Sequence, residues 1–406
     1  MSLVNDPYLA LRNREFRFFL SAKFLLTVAL QMQAVVASWL IYNITKDPLS
    51  LGLIGLAEAV PALSLALPGG FLADRFSRKK IIMLSTILMM IASVILCIVS
   101  FKPDVSSLFA VYGVIFLIGV ARGFYTPAQS SFWAQILTKD TYVNGSVWNS
   151  TLWQIGAITG PAIGGLCYAW IGPGYSSVII CFLILLTLIC YSLIAHKAIP
   201  EFRQSETMRE ALRVGIKFFF KQEIMLSAIT LDLFAVLFGG AVALLPAFAD
   251  QILHTGPEGL GFLRSAPAIG AVIMAMYMAY RPPSKNAGNK MLLCVAGFGC
   301  CMIGFALSKN YALSFSLLLL SGMFDNVSVV IRSTILQTFT PDEMRGRVSA
   351  VNSIFVGSSN ELGAFESGVA AKLLGLTNSV VFGGIMTLIV TASTYKLAPN
   401  LRKLDL

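Results

Sequence analysis

Twelve apolar stretches dominate this chain of 406 residues, each 18 to 27 residues long and set off by charged or turn-forming residues. They cover 18–43, 49–73, 80–101, 105–127, 146–170, 175–196, 223–249, 259–280, 291–308, 311–336, 347–371 and 376–396. A helix that crosses a bilayer needs about 20 mostly apolar residues, because lipid offers its backbone no hydrogen-bond partners. The stretches are continuously apolar and do not alternate, which argues against a β-barrel. Charged residues are only 12% of the chain, against about 25% in soluble domains. So few charges cannot cover two or three globular surfaces, and a hydrophobic share of 56% excludes disorder. The expectation is an all-α membrane protein of twelve transmembrane helices, numbered here as spans 1 to 12.

The net charge is +10. No basic stripe on a polar domain accompanies it, so nucleic acid is not an expected partner. The charge is segregated along the chain. With both termini on one side, 22 of the 30 lysines and arginines fall in the links of that side and 4 (Lys46, Lys102, Lys309, Lys372) in the opposite links. The positive-inside rule then predicts cytoplasmic termini. The seven cysteines all lie in apolar runs without a ligand-like spacing and read as reduced packing residues. The polar N-terminal residues 5–17 and the spanning length of the first apolar run speak against a cleaved signal peptide. No nucleophile–base set, metal cluster or phosphate-cradling loop is visible, so neither an enzyme nor a cofactor is expected.

The charge pattern and spans predict a six-helix bundle over 1–196, a linker over 197–222 and a second six-helix bundle over 223–406. Leu212, Ile216 and Phe219 recur at helical spacing against Arg213, Lys217 and Lys221. The linker thus reads either as an amphipathic helix at the membrane surface or as a plain connector. The halves resemble each other at an offset of 202–206: Gln135, Thr138 and Asp140 match Gln337, Thr340 and Asp342, and Asn149 matches Asn352. Gly160 and Gly165 fall on Gly363 and Gly368, and Gly55, Pro61 and Ala62 fall on Gly261, Pro267 and Ala268. The last match places Glu58 opposite Arg264, with inverted charge. Two parallel repeats are the architecture of transporters that rock two halves about a shared site.

The link after span 2 reads Gly69-Gly70-Phe-Leu-Ala-Asp74-Arg75-Phe-Ser-Arg78-Lys79-Lys80. Gly70, Asp74, Arg75, Arg78 and Lys79 fill every fixed position of GxxxDRxxRK, so the chain resembles the major facilitator superfamily. Span 5 carries Gly156, Gly160, Pro161, Gly164 and Gly165. Taken alone these are a packing motif, but they also resemble the motif of exporters and antiporters. The residues 340–348 and 358–368 look like the drug:proton antiporter branch that includes enterobactin exporters and macrolide efflux proteins. The second-half counterpart of GxxxDRxxRK is Tyr280-Arg281-Pro282-Pro283-Ser284-Lys285, which lacks an acid. The resemblance implies the major facilitator fold, a bacterial inner membrane, a monomer, a small-molecule cargo, and a conformational switch at 70–79 that latches the inner ends of the halves.

Ionisable groups at membrane depth are costly and therefore informative. Glu58, Arg122, Asp325, Arg332, Glu361 and Glu366 are candidates for proton coupling, and Arg122 resembles the span 4 arginine of proton-driven members. Family architecture sets span 2 beside span 11, which would let Glu58 meet Glu361 or Glu366 and share a proton. The same charges could instead be structural pairs. Gln31, Gln33, Tyr125, Gln129, Asp232, Arg264 and Asn326 are candidates for the cargo cavity, Asp232 lying closest to a helix end. Trp39 and Tyr42 read first as an interfacial aromatic belt and only second as cavity residues. The expected function is proton-coupled export of a siderophore or drug-like amphipathic molecule. The alternative is a facilitator, or a mover of lysophospholipid or metal chelates, without proton antiport.

Overall fold

The computed structural model describes residues 8–195, 216–218, 220, 222–281, 285–341 and 344–405. The described residues are helical with short connections and contain no strand. The helices are α1 (Arg14–Thr45), α2 (Pro48–Arg75), α3 (Arg78–Phe101), α4 (Ser107–Ile136), α5 (Tyr142–Ser192), α6 (Glu223–Gly239), α7 (Leu245–Gln251), α8 (Pro257–Tyr280), α9 (Ala287–Leu307), α10 (Tyr311–Phe339), α11 (Arg345–Leu374), α12 (Leu376–Leu397) and α13 (Pro399–Arg402). The amphipathic linker expected over 197–222 lies mostly outside the described residues, as do Pro282–Ser284 and Asp342–Glu343.

The twelve expected spans map onto these helices. Span 7 is broken into α6, a short 3-10 turn at Ala241–Leu244 and α7. Spans 5 and 6 are the two arms of α5, which breaks at Gly172 with φ of 79°. Spans 11 and 12 are divided by Gly375, with φ of 89°. Among the described residues these are the two glycines with positive φ, and they stand 203 residues apart, inside the repeat offset. At such φ a side chain is strained, so glycine is the natural residue for both turns. The repeat read from side chains is thus also a repeat of backbone geometry.

Among the described residues ten helices are long and apolar enough to cross a membrane by length and composition, the two-armed α5 among them as a single helix. The thirty-residue α11 does not qualify, since Ser358, Ser359, Asn360, Glu361, Glu366 and Ser367 interrupt its apolar surface. Helices of this composition can span only where neighbours or a wet cavity cover the polar side. Elsewhere large apolar side chains face outward, as do Leu84, Ile98, Phe109 and Leu293, each at least 69% exposed. In water that surface would aggregate; in a bilayer it meets hydrocarbon. The chain is a multi-pass membrane protein.

The chain divides into two compact units. The first comprises the described residues of Met1–Thr45, Ala57–Arg203 and Gly256–Gly261, the second those of Lys46–Leu56, Gln204–Thr255 and Phe262–Leu406. In the first, α1 packs along α5 and α3 packs on α4 and α5. Phe19 gathers the rings of Phe16, Phe132 and Tyr191 at 6.1–6.4 Å, offset-stacked and edge geometries that suit aromatic quadrupoles. In the second, α9 packs on α10 and α12, and α6 on α11 and α12. Its core holds Met225, Met291, Ile331 and Ile335, all fully buried.

Candidate functional site

Small residues set how closely helices approach in lipid, where no hydrophobic force drives them together. In the first unit, a Cβ added to Gly119 of α4 would fall on the Glu58 carbonyl of α2, and one at Gly69 on the Gly123 carbonyl. This tight crossing lets Arg122 reach Glu58, and the two form an ion pair. Glu58 thus holds a guanidinium within its own unit. The pair is only partly shielded, the side chains of Arg122 and Glu58 being 46% and 23% exposed.

The glycines of span 5 divide their work. Gly156, Gly160 and Gly164 recur every four residues and face α1, where an added Cβ would lie 2.9, 2.6 and 2.9 Å from Thr27, Gln31 and Met32. Gly165 faces the other way, with Gly261 Cα at 2.9 Å from such a Cβ. Pro161 is buried on the same arm, and its carbonyl also lies against Gly261. The second unit repeats the device: Gly368 of α11 meets Gly52, a Cβ on either lying 2.7–2.9 Å from the other's Cα.

The basic residues of the 70–79 motif are engaged within their own unit. Arg78 donates to the carbonyls of Ala73 (3.2 Å) and Ser131 (3.1 Å) and stands 3.6 Å from Asp74. Lys79 is buried and donates to the carbonyls of Ser192 (2.9 Å) and Ile194. A cation at the C-terminal end of α5 satisfies carbonyls that have no helical partner and meets the negative end of the helix dipole. Arg75 stacks over Phe71, 4.2 Å from the ring centroid. Asp74 is largely exposed, and Gly70 is half-buried. The close approach near this motif is made by Gly69.

Among the expected cavity residues, Gln33 is buried and accepts from Ser93 at 2.9 Å, while its amide nitrogen has no partner. The amide nitrogen of Gln129 is likewise buried without a partner. Tyr125 shares a 2.8 Å hydrogen bond with Tyr191. Gln31 is half-buried with its Cβ turned to Gly160.

In the second unit, a Cβ on Gly322 of α10 would strike the Pro267 carbonyl of α8. Gly322 lies 203 residues after Gly119, and Asp325 lies 203 after Arg122. The same crossing therefore carries opposite charge: Glu58 and Arg122 in one unit, Arg264 and Asp325 in the other. Arg332 reaches across to α6 and forms an ion pair with Asp232, with both side chains about 7% exposed or less. Sequence position put Asp232 near a helix end, yet it is buried and fully engaged. Asp232, Asp325 and Ser328 line one cleft together with Phe298 and Phe324. The Oδ1 atom of Asn326 is buried without a partner. Arg264 and Glu366 are half-buried on α8 and α11. Glu361 directs Oε2 toward Gly55, 3.5 Å from where a Cβ there would stand.

Ser328 was not anticipated. It is 1% exposed, and its hydroxyl has no partner. Its place at i+3 from Asp325 and i−4 from Arg332, on one helix face, is the signal that could have found it. Among the described residues no group of three or more His, Cys, Asp or Glu side chains could hold a metal ion. What the arrangement offers is charge at depth: two ion pairs, one additional carboxylate beside the second pair, and scattered polar groups on apolar walls.

Comparison with known proteins bears on the family and the fold. The chain is 27% identical to an enterobactin exporter of Shigella boydii, covering 93% of this chain and 87% of that protein. An enterobactin exporter of Escherichia coli gives 28% over the same shares. A transporter of Bacillus subtilis described as uncharacterized is 24% identical over 70% of this chain and 71% of its own. Among solved structures, a bacterial homologue of the human lysosomal transporter Spinster superposes with a TM-score of 0.77 at 15% identity, covering 97% of this chain and 98% of that one. A peptide transporter of the POT family in complex with sulfate gives 0.76 at 14%, covering 97% and 96%. The family model described as transmembrane secretion effector matches residues 5–405, so this chain is a membrane transporter of that family, within the major facilitator superfamily.

Proposed function

We propose that this protein exports a bulky amphipathic small molecule of the siderophore or drug-like class, driven by protons flowing inward. The observation that carries the reading is the match to enterobactin exporters along 93% of the chain. Charge placement supports the coupling. Glu58, Arg122, Asp232, Arg264, Asp325, Arg332, Glu361 and Glu366 all lie within membrane-length helices, where charge without a task is selected against. Buried amide groups of Gln33 and Gln129 supply hydrogen bonds suited to a polyoxygenated ligand. On this reading the protein works as a monomer in a bacterial inner membrane with both termini in the cytoplasm. Two bundles, 1–196 and 223–406, joined by the linker, alternate access to the cargo, and Asp74 with its basic neighbours governs the switch.

Inverted membrane vesicles test it. Enterobactin and a macrolide, assayed side by side, should accumulate when a proton gradient is present and stop when it is collapsed. Transport that ignores the gradient rejects the coupling. Absence of transport of either compound rejects the cargo class. One observation favours uncoupled movement of a chelate or lipid: four of the eight charges neutralise each other in pairs. Lipid flipping in proteoliposomes without a gradient would support that reading.

A further inference from the structure

The cleft of the second unit carries an unbalanced charge. Asp232 and Arg332 cancel within their ion pair, and Asp325 adds one more negative charge to the same cleft. Its remaining walls are Ala235, Val236, Val295, Phe298 and Phe324. The Ser328 hydroxyl, 1% exposed and without a partner, lines it too. A serine in a helix ordinarily turns its hydroxyl to a carbonyl one turn back, as Ser321 does toward Leu318 at 2.7 Å. Ser328 leaves its donor and acceptor for whatever occupies the cleft. The free space is that of a water molecule.

We infer that Asp325 and Ser328 form a binding site for a single hydron within the second unit, held as the Asp325 carboxylic acid or on a water between the two side chains. This rests on the transport reading above and narrows its six coupling candidates to one. A lone negative charge in an apolar cleft is neutralised by one positive charge, and the space and oxygen set limit which. Asp325, Ser328 and the paired Asp232 provide few oxygens for a metal cation, whereas a hydron needs one oxygen and a donor or acceptor beside it. Arg332 is paired with Asp232, which leaves Asp325 as the cleft carboxylate outside that ion pair. The other ionisable groups on helices packed against α10 are Glu258, Arg264, Tyr277 and Tyr280 on α8, Lys290 and the cysteines of α9, Glu223 on α6, and Arg345, Arg347, Glu361, Glu366 and Lys372 on α11.

The test reads the carboxylic acid itself and needs no cargo. Full-length protein in lipid is titrated while the infrared C=O stretch of protonated carboxyl groups is followed. The Asp325→Asn variant should lose one titrating band, Asp325→Glu should keep a displaced one, and Ser328→Ala should move the titration midpoint without removing the band. A band unchanged in Asp325→Asn overturns the proposal in favour of Glu361 or Glu366. Should Asp325→Asn fail to fold, the Ser328→Ala and Asp325→Glu titrations decide: an unmoved midpoint in both overturns it. Replacing choline chloride by sodium chloride at constant pH should leave the band in place, and its disappearance would assign the site to sodium. None of these outcomes depends on whether enterobactin is carried, which the vesicle assay decides separately.

Discussion

The two units carry the same chemical element, an arginine–carboxylate pair between helices, in different surroundings. Glu58–Arg122 is between a quarter and a half exposed, whereas Asp232–Arg332 is almost entirely enclosed. Where the exposure is to water, such a pair is worth about 0–1 kcal/mol, because water solvates either partner once the other is gone. Removing one member of an enclosed pair costs about 3–5 kcal/mol, because a bare charge is left behind. The difference separates roles. On the transport reading proposed above, the first pair is the one suited to open and close, while the second is enclosed beside Asp325.

The comparison breaks most visibly at Asp232. Asp232→Ala should destabilise the protein by about 3–5 kcal/mol, read as a fall in thermal unfolding temperature in detergent. The double variant Asp232→Asn/Arg332→Gln should recover most of it. Glu58→Ala should stay within about 1 kcal/mol while abolishing transport. Equal losses in both units would erase the distinction. Lys79→Met should come next, at about 1.5–3 kcal/mol, since two carbonyls at the end of α5 lose a charged donor. Gly165→Val and Gly368→Val should each cost about 1–3 kcal/mol by overpacking, and similar values would confirm that the two units use one construction. Asp74→Asn should change stability by less than about 0.5 kcal/mol, given its exposure, yet slow transport; full activity would remove the 70–79 motif from the switch.

The smallest effect is expected at Asp104, in the link before α4. Hydrogen bonds from Ser106 (2.7 Å) and Ser107 (2.8 Å) hold its carboxyl below the usual carboxylate range. A carboxyl lowered on folding contributes stability that is present above its ordinary pKa and fades as the pH falls through the lowered value. Asp104→Asn should therefore weaken the pH dependence of unfolding only at the acid end, as followed by thermal melts between neutral and strongly acidic pH.

Sequence reading located the helices well because lipid imposes a single length and a single hydrogen-bonding solution. Spans 5 and 6 are one continuous helix with a one-residue break at Gly172. Span 7 ends early at Gly239 for reasons that apolar runs do not encode. The charges were found individually, but their partners were not. Asp232 and Arg332 are 100 residues apart in the chain, and no pattern along one helix tells which neighbour a side chain will reach. The basic residues of the 70–79 motif were read as a latch between halves; the structure also gives Arg78 and Lys79 carbonyl partners within one unit. Ser328 escaped notice because a serine in an apolar run looks like packing until its hydroxyl is found idle.

The turns at Gly172 and Gly375 have a consequence for how the chain is made. Each is a tight turn between two helical arms, and the expectation is that the two arms of each enter the membrane together as a hairpin. A nascent chain arrested between such arms would expose one unshielded helix and an odd number of crossings, and reporter fusions placed a few residues before and after each glycine should reveal when, during synthesis, the second arm arrives.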